Sequence, residues 1–124
     1  MGKIQRTYVG ISGTGKSEFF NGIINQFAGT EAANEIAMPD GIVRNIRFYK
    51  YDTTTCSFPI TIVLRKNRVD THVKIVIPAG EMIRPTSIAE TVPYNAGDVL
   101  VWKASIATSC SCPHRVGVWA VYDY

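Results

Sequence analysis

Between residues 41 and 108 the apolar positions return every second residue. In 60–64, Ile60, Ile62 and Leu64 share one side and Thr61 and Val63 the other. In 71–77, Thr71, Val73, Ile75 and Ile77 point one way while His72, Lys74 and Val76 point the other. Alternation with many β-branched residues is the mark of a half-buried antiparallel strand. No window in this stretch keeps apolar residues at i, i+3, i+4 and i+7 for the three turns a helix needs. The pattern predicts strands over 42–51, 58–66, 69–78, 87–94, 99–108 and 116–124, with shorter ones at 4–11 and 32–38. Residues 17–25 are ambiguous. Phe19, Phe20, Ile23 and Ile24 fit a helix face, but Gly22 interrupts it and the aromatic and β-branched residues suit a short strand.

Turn residues fill the gaps. Pro39-Asp40-Gly41, Thr53-Thr54-Thr55, Pro78-Ala79-Gly80 and Asn95-Ala96-Gly97-Asp98 separate the strands, and Arg65-Lys66-Asn67-Arg68 is short enough for a hairpin. About eight or nine short strands with a turn signal roughly every ten residues predict a β-sandwich or barrel. A sandwich strand has one core side, so strands that are apolar on both sides need a second partner. Tyr49 and Tyr51 fall opposite Ile42, Ile46 and Phe48. Trp119 and Val121 fall opposite Val118, Ala120, Tyr122 and Tyr124. Tyr49, Tyr51, Trp119, Tyr122 and Tyr124 are therefore candidates for a subunit interface. The competing reading is that they cover a sheet edge or pack under loops.

Composition narrows the classes of function. The chain has 124 residues, 46% hydrophobic and 19% charged, with a net charge of +3. That is one domain with a real core and too little positive charge, too scattered, to argue for nucleic acid. No apolar run reaches the length of a membrane span. The first residues lack the apolar run of a signal peptide, and Arg6 stands where myristoylation wants Ser or Thr. The protein is expected to be made in the cytoplasm and used there or in something assembled there. Residues 1–16, glycine-rich and carrying Lys3, Arg6 and Lys16, are expected to form a flexible arm ahead of a domain spanning 17–124.

Residues 10–17 satisfy the phosphate-binding pattern G-x-x-x-x-G-K-S/T letter for letter. That loop works by cradling phosphates with backbone N–H groups, reaching them with Lys and holding Mg²⁺ with Ser. The motif belongs, however, in a parallel sheet covered by helices, and the strands after Gly41 are too closely connected for that. Phe48-Tyr49-Lys50-Tyr51-Asp52 is a poor match to the apolar strand ending in Asp that completes such a site. We read 10–17 as a glycine-serine turn, with nucleotide binding as the remote alternative. Cys110, Cys112 and His114 lie within five residues and Cys56 lies in another connection. These four could hold zinc, although C-x-C is tight for a knuckle. Cys56 could instead pair with Cys110 or Cys112, or all three cysteines of the chain could stay reduced. The aspartates stand at turns and strand ends, Glu81 and Glu90 lack nearby carboxylates, and no nucleophile–base set stands out. Neither an enzyme nor a cofactor is expected.

One ordered set of motifs carries a resemblance. V-R-N-I at 43–46 is followed by R-K-N-R-V-D-T at 65–71 and A-G-D-V-L-V-W at 96–102, with the aromatic strand V-G-V-W-A-V-Y-D-Y at the end. This resembles small bacteriophage virion proteins with a tumour-necrosis-factor-like jelly roll, of the head-fibre and capsid-decoration (cement) type, over roughly residues 18–124. The resemblance implies an all-β, antiparallel two-sheet jelly roll, usually homotrimeric and without catalytic residues. It implies a place on the virion, bound to the major capsid protein or another virion protein, or a tip that binds a receptor or host-surface glycan. Arg68 departs from the pattern, which commonly has Gly there, and this bears on the turn because both central residues want φ > 0. For glycan binding the candidates are Tyr94, Asn95 and Asp98; for capsid docking they are Lys3, Arg6 and Lys16 in the arm.

Overall fold

A computed structural model describes residues 2–11, 17–21, 26–28, 31, 35–50, 59–78, 86–106 and 114–124. The described residues contain no helix. Their strands are β1 (Gly2–Ile11), β2 (Ser17–Asn21), β3 (Gln26–Ala28), β4 (Ile36–Ala37), β5 (Gly41–Lys50), β6 (Ile60–Lys66), β7 (Val69–Ile77), β8 (Thr86–Ile88), β9 (Val92–Tyr94), β10 (Val99–Ile106) and β11 (His114–Asp123). They form two antiparallel sheets. One has 5 strands, ordered β1-β11-β5-β8 with β9 also on β5; the other has 6, ordered β3-β2-β10-β6-β7 with β4 also on β10. The all-β, two-sheet expectation holds, and the ambiguous 17–25 stretch contributes a strand, β2.

The core lies between the sheets. Val43, Ile46 and Phe48 of β5 and Val118, Ala120 and Tyr122 of β11 come from one side. Ile60, Ile62 and Leu64 of β6, Val73 and Ile77 of β7, and Leu100, Trp102 and Ala104 of β10 come from the other. Phe48 meets Trp102 edge to face, with centroids 5.9 Å apart. Trp102 donates its indole N–H to the Tyr122 hydroxyl at 2.7 Å, both groups being buried. This bond joins the two sheets, and it lets two large rings enter the core without an unpaired polar atom between them.

Three expectations change. Straight alternation puts Ile42 with Ile46 and Phe48, but Val43 is the core residue instead. Between Trp119↔Arg47 and Val121↔Arg44, β5 carries one residue more than β11, a bulge at Asn45, whose φ is 54°. An extra residue reverses the alternation on its far side. The strand expected over 87–94 is likewise two: β8 pairs with Ile46–Phe48 and β9 with Gly41–Val43, on either side of that bulge. Lastly, Gly2–Ile11 is no free arm. It pairs with β11 along its whole length, from Gly2↔Asp123 to Ile11↔His114. Lys3 and Arg6 thus lie in a sheet strand, and Lys16 lies outside the described residues.

Candidate functional site

Among the described residues, a dense set of polar contacts surrounds the β6–β7 hairpin tip. Asn67 and Arg68 have φ of 53° and 65°, so both central residues take the left-handed conformation that a primed two-residue turn requires. Arg68 does so without being glycine, and its surroundings hold it there. Its guanidinium donates to both carboxylate oxygens of Glu35, at 2.9 Å from Nη2 and 3.1 Å from Nε, and its carbonyl accepts from the Arg65 guanidinium. Arg65 also bonds Glu31 at 2.7 Å and Asp70 at 2.5 Å. Bonding to Glu31, then to Asp70, raises the Arg65 pKa against the opposing effect of burial, and bonding to Glu35 raises that of Arg68.

Asn67 fastens the tip to the start of β10. Its N–H donates to the Val99 carbonyl, its side-chain oxygen accepts from the Val99 N–H at 3.0 Å, and its amide donates to Asp98 at 3.0 Å. Asp98 in turn accepts from the Asn95 N–H at 2.9 Å. The Asn67 amide first, and the Asn95 N–H next, hold the Asp98 carboxyl below the ordinary aspartate range. Gly97, with φ 90°, completes the Asn95–Asp98 turn, and Asp40 caps it from outside by accepting from the Ala96 N–H at 2.5 Å. The carboxylates gathered here pair with arginines or accept from turn N–H groups. That is the chemistry of a structural clasp. Sequence reasoning missed Glu31, Glu35, Arg65 and Arg68 as a group; the only hint was an acidic stretch and a basic tip of opposite sign.

The glycan candidates divide. Tyr94 is a core residue, with its hydroxyl buried beside Gly41 and unpaired among the described residues, so its ring is not open to a sugar. Burial, then the nearby Tyr124 and Asp123, raise its pKa. Asp98 is engaged in the turn, and only Asn95 is exposed. The metal candidates Cys56, Cys110 and Cys112 lie outside the described residues, whereas His114 is placed as the first residue of β11, opposite Ile11. Among the described residues no three His, Cys, Asp or Glu gather to hold a metal. In the phosphate-loop lookalike, Lys16 is outside the described residues but Ser17 opens a strand, β2, where that site needs a helix N-terminus.

The interface candidates also separate. Tyr122 is buried in this chain's own core, so the expectation of it at a subunit interface does not fit. Tyr124 is exposed, and Tyr49 is placed only as the β5 partner of Gly117; Tyr51 lies outside the described residues. Trp119 and Val121 occupy the outward row of β11 and are half-buried. Trp119 stands in register between Arg6 of β1 and Arg47 of β5. Beside it the β5 bulge opens a cleft of about 430 Å³, lined by Asn45, Arg47, Ile88, Trp119 and Val121 among others. This outer face of the β1-β11-β5-β8 sheet is the best candidate for contact with another molecule. No family model matches the chain, and no curated protein is significantly similar to it. No helix among the described residues is long and apolar enough to cross a membrane.

Proposed function

We propose that the chain is a non-catalytic structural subunit of the bacteriophage decoration (cement) or head-fibre type, a jelly roll that acts as a homotrimer on the surface of the virion. The observation that carries the reading is the strand order. Taking β8 and β9, which both pair with β5, as one interrupted strand and setting aside the short β3 and β4 reduces the 11 strands to eight. Of these the first pairs with the last (β1·β11), the second with the seventh (β2·β10), the third with the sixth (β5·β8) and the fourth with the fifth (β6·β7). A long antiparallel ribbon rolled up on itself gives this nesting, and rolling it closes the β11·β5 and β10·β6 pairs as well. A wound pair of Greek keys would pair its strands in this way, and that supports the jelly-roll reading.

The trimer is supported by β11, which is apolar on both sides. Val118, Ala120 and Tyr122 complete the core, and Trp119 and Val121 are left on the outer face. A second copy covering that face would bury them, and closure around a threefold axis leaves no repeating surface to aggregate. Function then rests on interface added to a capsid, through the major capsid protein or another virion protein.

Native mass spectrometry of the purified protein, with and without ATP and Mg²⁺, tests the reading. Three chains without nucleotide, followed by co-sedimentation with capsids, is the expected result. A monomer that gains one ATP per chain would overturn both fold and function.

A further inference from the structure

The β6–β7 hairpin changes register part-way along. From Ile60↔Ile77 to Val63↔Lys74 the pairing is regular, and near the tip Arg65 faces Asp70 and Lys66 faces Val69. Between these stretches β6 has Leu64 alone, whereas β7 has Thr71, His72 and Val73. Here β7 therefore carries two residues more than its partner, where β5 at its own bulge carries one. An even excess leaves side-chain parity intact, and Leu64 and Val73 both stay buried in the core.

The apolar pattern alone does not require the extra residues. Continuing the Ile60–Val63 register without a break would set Arg65 opposite His72 and Asn67 opposite Asp70, and would move the turn to Arg68–Val69. Every β7 side chain would keep the face it has. Three features oppose that straight register. A primed turn at 68–69 needs φ > 0 at Val69, a β-branched residue that the left-handed region all but excludes, whereas Asn67 and Arg68 take it at 53° and 65°. Asn67, where it stands, makes three hydrogen bonds to Asp98 and Val99. The Thr71 hydroxyl repairs the ladder inside the irregular stretch. It accepts from the Val73 N–H at 3.2 Å and donates to the Leu64 carbonyl at 2.8 Å, a rung routed through a side chain. The Arg65–Asp70 pair decides little, because Asp70 is 58% exposed.

We propose that the β6–β7 hairpin has two registers open to it, the observed one and a straight one in which Arg65 faces His72. The Asn67–Arg68 turn, docked at the start of β10, and the Thr71 rung together select the first. Register is thereby coupled to the clasp, since the straight form withdraws Asn67 from Asp98 and Val99 and Asp70 from Arg65. This coupling holds whatever the chain does on or off a virion.

Moving an Asn-Gly dipeptide by one position tests it, read as cross-strand NMR contacts between backbone protons of the full-length protein. R68G/T71V puts the dipeptide at 67–68 and should keep Arg65 against Asp70. R68N/V69G/T71V puts it at 68–69, the turn of the straight register, and should replace that contact by one between Arg65 and His72. If Arg65 stays against Asp70 in both, the hairpin admits one register and the proposal is overturned. A R68N/V69G/T71V chain that fails to fold beside a folded R68G/T71V chain overturns it equally. Amide exchange tests the rung by itself. In T71V the Val73 N–H loses its acceptor and should exchange roughly tenfold faster than in the wild type, while Ile75 keeps its rate and T71S stays close to wild type. Equal Val73 rates in T71V and T71S would overturn the part given to Thr71.

Discussion

Tyr94 and Tyr122 are both buried and differ in one hydrogen bond. The Tyr122 hydroxyl accepts from Trp102, while that of Tyr94 has no partner among the described residues. The same substitution should therefore have opposite outcomes. Tyr122→Phe leaves a buried indole N–H unpaired and should cost about 1–3 kcal/mol, whereas Tyr94→Phe removes an unpaired hydroxyl and should be neutral or stabilise by up to ~1 kcal/mol. Urea titrations at constant m-value distinguish the two. If both lose stability equally, the Trp102–Tyr122 bond carries no special weight. Gly41 marks the same corner, because a Cβ there would lie 2.6 Å from the Tyr94 hydroxyl and against the Asp123 carbonyl. Gly41→Ala should cost about 1–3 kcal/mol through that crowding. The alternation of β11 put Tyr122 on one row with Val118 and Ala120 without saying which row met the core. Neither the burial of Tyr94 nor which tyrosine would find a donor was legible, since Trp102 is on the other sheet.

β6, β7 and β10 stand where the sequence pattern puts them, because parity sets the row that meets the core, although Val63 and Val101 on the opposite row are buried too and the β6–β7 register shifts between Val63 and Arg65. β5 shows where parity fails. Its bulge adds a residue that composition does not announce, and an asparagine prone to φ > 0 is the only local sign. If the bulge is built into the fold, Asn45→Gly should be tolerated, while Asn45→Val, a β-branched residue forced to φ 54°, should be less stable than the Gly variant by at least about 1 kcal/mol. Equal midpoints for the two in urea would show β5 running straight through Asn45. The β6–β7 turn offers a parallel case. Arg68→Ala keeps the φ > 0 requirement and loses Glu35, whereas Arg68→Gly loses the pair but relieves the backbone. The glycine variant should therefore melt above the alanine variant in a thermal scan, and the reverse order would deny the turn its left-handed second residue.

At the scale of the whole molecule, the sequence showed a β-sandwich or barrel but not the nesting of its strands, which depends on pairings between residues far apart in the chain. Gly2–Ile11 illustrates this. Its glycines and charges suggest an arm, and only β11, at the other end of the chain, supplies the ladder that makes it a strand. The outer face of that sheet is where the proposed trimer can be tested separately from folding. Trp119 lies outside the central core cluster, so the Trp119→Glu chain should still unfold cooperatively, with a melting temperature lower than the wild type's by the stabilisation that association supplies and no longer dependent on protein concentration. A charge placed at the middle of an apolar contact should weaken association by roughly 30-fold or more. Sedimentation velocity at micromolar concentration would then find a folded monomer beside a wild-type trimer. Tyr122→Phe, which weakens the core and leaves the outer face intact, should show the reverse, a less stable chain that still assembles. A Trp119→Glu protein that remains trimeric would move the interface elsewhere, to the exposed Val69 and Val76 on edge strand β7 as the next surface to test.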